Sequence, residues 1–68
     1  MKPKYAITMG DYFYQDETYK LESGGIMIVL TENIREAHFF DKKFDAICKV
    51  NKIGGKIQGF FLEEEKED

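Results

Sequence analysis

The chain has 68 residues, of which 43% are hydrophobic, 15% aromatic and 34% charged, with a formal net charge of −3. That length holds a single domain, and the many large apolar side chains exclude disorder over most of it. So small a domain buries about 60% of its unfolded surface, which limits its expected stability to about 3–10 kcal/mol.

The charge is unevenly spread. Residues 63–68, EEEKED, carry five acids and one lysine, whereas residues 1–62 carry nine basic and eight acidic groups. A nearly neutral body of this kind exerts no long-range pull on nucleic-acid phosphates. The terminal run reads as a solvated, disordered acidic tail following one domain over residues 1–62.

Residues 4–9, KYAITM, alternate, with Tyr5, Ile7 and Met9 on one side, and this predicts a half-buried strand. Gly10-Asp11 turns the chain, and the aromatic run 12–15 pairs back as a hairpin. Residues 16–18, DET, read as a polar tip, and 19–22, YKLE, as another short strand. After the Ser23-Gly24-Gly25 turn, IMIVL at 26–30 is apolar at every position, the pattern of a central strand covered on both faces.

Helical signals follow. Asn33 with Glu36 fits a capping box for a helix of one or two turns, and Asp41 reads as a second N-cap. From residue 42 to 53 the period is helical, with Phe44, Ala46, Ile47, Cys48, Val50 and Ile53 in one arc. Asp45 and Lys49 form a favourable i,i+4 pair. Gly54-Gly55 ends the helix, and 56–62 returns as a strand.

The expected fold is α+β. A small antiparallel sheet of three to five strands is packed on one face by a C-terminal helix. The order is strands, short helix, longer helix, last strand. Phe60, Phe61 and Leu62 at a sheet edge are compatible with either a monomer or a homodimer.

The densest stretch is AHFFDKKF, residues 37–44. Its phenylalanines suit a core. His38 is the only histidine and Cys48 the only cysteine, so no metal-ligand set or internal disulfide is available. Cys48, placed beside Phe44 and Ile47, reads as a buried and inert thiol. Ser23, the only serine, has no catalytic partner. The paired glycines match no phosphate-binding loop, because Gly54-Gly55 closes a helix instead of opening one. The residues therefore point away from an enzyme and imply no cofactor.

Tyr5, Tyr12, Phe13, Tyr14 and Tyr19 gather in the N-terminal third. Aromatic residues on a sheet can stack bases, but such platforms interleave lysine and arginine. Here Asp11, Asp16, Glu17 and Glu22 outnumber Lys4 and Lys20, which argues against nucleic acid. Tyrosine is favoured at protein interfaces. Tyr5, Tyr12, Tyr14 and Tyr19, with Asp16 and Glu17, are the candidate contact residues for a partner protein. The alternative is a regulator that binds nucleic acid through its sheet.

The run LTENIREAHFFDKKFDAICKVNKIGGKI, residues 30–57, resembles very short phage and prophage accessory proteins of Gram-positive bacteria. The matching positions are Thr31, Glu36, Ala37, Phe40, Ala46, Gly54 and Gly55. The resemblance implies a small non-enzymatic protein that binds a host protein and modulates or inhibits it. The lone cysteine and the lack of any bilayer-spanning apolar run or signal peptide fit the host cytoplasm, with no membrane partner.

Overall fold

A computed structural model gives the fold of residues 2–61. Its elements are β1 (Lys4–Met9), β2 (Tyr12–Lys20), β3 (Gly25–Thr31), a 3-10 turn (Ile34–Glu36), α1 (Lys43–Ile53) and β4 (Lys56–Phe60). The strands form one antiparallel sheet in the order β3-β2-β1-β4. The α+β class is as expected, with one helix and a 3-10 turn where two helices were predicted. The acidic segment 63–68 lies outside the described residues.

β1 is the sheet's interior, with Ala6 and Ile7 fully buried. Register puts Ile7 beside Ile57 on one face, and Ala6 beside Gln58 on the other. α1 packs over β1 and β4. Its inward side is Ala46, fully buried, flanked by half-buried Val50 and Ile53, the i, i+4, i+7 spacing of one helical stripe. The last helical turn closes with the Gly54 N–H donating to the Val50 carbonyl at 2.7 Å.

A fork opens between β1 and β2. They pair at Thr8↔Phe13 and Met9↔Tyr12, then diverge, and residues 38–40 fill the gap. The Tyr5 N–H donates to the Phe40 carbonyl at 2.9 Å, the Phe40 N–H returns to Tyr5 at 2.7 Å, and the His38 N–H donates to Tyr14 at 2.9 Å. Extended backbone sends Phe39 and Phe40 to opposite faces. Phe40 stacks on Tyr14 with centroids 6.5 Å apart, and Phe39 meets Phe60 edge-on at 6.0 Å. These two rings are half-buried, packed against the core without lying inside it.

Several expectations are corrected. DET is not a tip: β2 runs unbroken from Tyr12 to Lys20, and the chain turns at residues 21–24. The apolar run IMIVL lies in β3, at the edge of the sheet, because β4 joins the far side of β1 and leaves β2 as β3's single described neighbour. The helical arc is narrower than expected. Phe44 is 71% exposed, and Ile47 and Cys48 are also exposed, since α1 packs mainly over β1 and β4 and meets β2 through the long side chains of Lys49 and Lys52. Asp41 does not cap α1. Lys42 is the N-cap residue, and the Asp41 carboxylate pairs with Lys4. Asn33 accepts from the Arg35 N–H at 3.0 Å, but the Glu36 carboxylate accepts from the Thr31 hydroxyl at 3.1 Å instead of closing a capping box.

Candidate functional site

The site is built on a bulge in β2. Pairing with β3 passes from Tyr14↔Leu30 directly to Asp16↔Val29, so Gln15 is the extra residue. Before the bulge, Tyr12 and Tyr14 share the helix-covered face. After it, Glu17 and Tyr19 take that face, and Asp16 and Thr18 take the other. Register adds Ile26, Ile28 and Leu30 of β3 to the face of Glu17 and Tyr19.

Glu17 is the hub. Its side chain is 8% exposed. One carboxylate oxygen accepts from the Tyr14 phenol at 2.7 Å and pairs with Lys49. The other is buried without a hydrogen bond, 3.8 Å from Lys52 Nζ. The Lys49 hydrogen bond, with that of Tyr14, holds the Glu17 carboxyl below its ordinary value of 4.5. Burial, then the Glu17 hydrogen bond and charge, push the Tyr14 phenol well above its ordinary value of 10.0. The Lys52 ammonium donates to the Tyr19 phenol and lies 4.4 Å from that ring's centroid, a cation–π contact. The expected Asp45 pairing is replaced, because Lys49 leans across to β2.

The six predicted contact residues are thus separated. Tyr14 is 3% exposed and belongs to the core, its ring against half-buried Phe40 and exposed His38, so it is no contact residue. Glu17 is similarly enclosed. Tyr5 is half-buried, its ring edge against Gly59. Tyr12 and Tyr19, 44% and 51% exposed, stand at opposite ends of β2, and Asp16 is exposed on the opposite face. Of the six, Tyr19 adjoins an exposed apolar surface.

That surface is β3. Ile26, Met27, Val29 and Leu30 are 38–48% exposed, and Leu21 at the turn is 97% exposed. Sequence reasoning missed these residues as surface, along with Lys49 and Lys52 as its cationic border. Ile26 and Leu30 lie on the face of Tyr19, and Met27 and Val29 on the opposite face.

Among the described residues no three His, Cys, Asp or Glu side chains gather to hold a metal ion. An open depression of about 460 Å³, lined by Thr8, Met9, Gly10, Gly55 and Lys56, brings one charged side chain and no nucleophile–base pair. Among the described residues no helix is long and apolar enough to cross a membrane.

No family model, no curated protein and no solved structure matches this chain.

Proposed function

We propose that this chain is a small non-enzymatic protein that binds a host protein and modulates or inhibits it, in the manner of phage accessory proteins. The observation that carries the reading is the uncovered β2–β3 arm. Tyr19, Ile26, Ile28 and Leu30 share one face, which α1, packed over β1 and β4, borders with the Lys49 and Lys52 side chains. An aromatic anchor beside aliphatic side chains, with a polar rim, is the anatomy of a modest protein interface. Lys49 and Lys52 are engaged by Glu17 and Tyr19, which favours a protein over a polyanion.

The test is capture from the lysate of a Gram-positive bacterium, identified by mass spectrometry, with the unmodified chain, Tyr19→Ala and Leu30→Lys side by side. One host protein retained by the unmodified chain and lost from both folded variants is the expected result. Equal retention by both variants overturns the assignment of the surface. Salt-sensitive micromolar binding to single-stranded oligonucleotides overturns the class.

A further inference from the structure

We infer that β3 is a self-pairing edge: two copies of this chain join β3 to β3, antiparallel about a two-fold axis at Ile28, into one eight-stranded sheet. The inference concerns the backbone edge and does not depend on any host partner.

Edge strands are normally blunted by charge, proline, bulges or short length. β3 has none of these. It is seven residues long, GIMIVLT, without charge or proline, and the arm's bulge lies on β2. β4, the opposite edge, is five residues long, with Lys56 at its start and Gly59 within it. Of the two edges, β3 is the unprotected one. Among the described residues, nothing pairs with its outer side.

Charge selects the occupant. A strand bringing ionic groups to this edge would desolvate them with no opposite charge to meet them. The chain's own segment 63–68 carries five acids, and β3 offers no cation to receive them. A second β3 brings no charge at all.

The register is self-complementary. Pairing about Ile28 sets Met27 opposite the second copy's Val29, and Ile26 opposite its Leu30. Directly opposed residues share a face, so each half-exposed aliphatic side chain gains an apolar partner. The axis stands perpendicular to the sheet, so both helices lie on the same side. α1 sits over β1 and β4, with β2 between it and β3, so the helices leave room for the join. The shared face becomes a floor of Ile26, Ile28 and Leu30 from both copies, bordered by two Lys49–Lys52 pairs. The joined edges are about 24 Å long at the antiparallel rise. A join of a single strand pair is a small contact, so association depends on concentration.

The experiment is sedimentation equilibrium on the full chain from micromolar to millimolar concentration, with Met27→Lys and Val29→Glu alone and mixed. The unmodified chain is expected to show a monomer–dimer equilibrium. Each variant alone, folded by circular dichroism, should weaken it by about tenfold or more. The equimolar mixture should recover it, because the new ammonium of one copy lies opposite the new carboxylate of the other. A monomer throughout, a dimer indifferent to both variants, or a mixture no tighter than its components overturns the proposal. Amide shifts of the unmodified chain decide the matter without variants. Concentration-dependent movement confined to residues 25–31 supports β3 pairing, and movement confined to β4 overturns it.

Discussion

The Tyr14 phenol donates a 2.7 Å hydrogen bond to Glu17, three positions further along the same strand. Residues three apart on a regular strand face opposite ways. The extra residue, Gln15, rotates the strand by one position and brings the two side chains to one face. The bulge thus assembles the contact between β2 and α1. Deleting Gln15 should return Glu17 to the opposite face, release Lys49 and lower the thermal midpoint sharply. Gln15→Ala keeps the residue count and should change stability by less than about 1 kcal/mol. Thermal melts of the two variants check this.

Acid should weaken the fold through Glu17. Its folded carboxyl is held below 4.5 by Lys49 and Tyr14, so its contribution is complete above about that pH and is lost as pH falls through the lowered value. Asp41, held below 3.8 by Lys4, adds to the loss on the acid side. Thermal midpoints of the unmodified chain and Glu17→Gln should differ near neutrality and converge between about pH 5 and pH 2. A constant difference across that range contradicts the network.

Alkali acts through Tyr14. Its folded phenol is raised above 10.0, so the contribution is complete below the unfolded value and is lost as pH rises past it. Phenolate absorbance should show a late ionisation step that coincides with unfolding and is missing from Tyr14→Phe. Tyr14→Ala removes a buried ring and should cost about 3–5 kcal/mol, a large part of the stability of so small a domain.

Gly55 tests the seat of the helix on the sheet. Its φ is +95°, and an added Cβ would lie 2.8 Å from Ile7 Cγ2 and 2.9 Å from the Thr8 carbonyl oxygen. Gly10, in the β1–β2 turn, has a φ of +62° with nothing within 4 Å. Gly10→Ala should cost only the left-handed backbone term, about 1–2 kcal/mol. Gly55→Ala adds a backbone clash and should cost more. Urea midpoints of the two variants give the order.

Local pattern made some of the fold legible. The alternation of KYAITM and the helical period from residue 42 to 53 each state their own element. The bulge was hidden, because Asp16, Glu17 and Thr18 look like a turn until Glu17 is known to face Tyr14. IMIVL misled for a different reason. A continuous apolar run reports that both faces are apolar, but which strand lies next to it is settled by where β4 docks. The same holds for Phe44 and Cys48, whose burial depends on how many strands the helix covers. The candidate surface was read from tyrosine content, and Tyr19 alone of the buried-or-exposed pair Tyr14 and Tyr19 reaches it. Lys49 and Lys52 join it only through the tertiary fold.

The central claim is that β3 is an uncovered edge. Hydrogen exchange by mass spectrometry with residue-level fragmentation, at sub-micromolar concentration, tests it directly. Along an edge strand only alternate amides are bonded to the neighbour. Residues 25–31 should therefore alternate between protected and fast-exchanging amides, while β1 is protected throughout its interior. Uniform protection of residues 25–31 in the monomer would show that something covers that edge and would contradict the account.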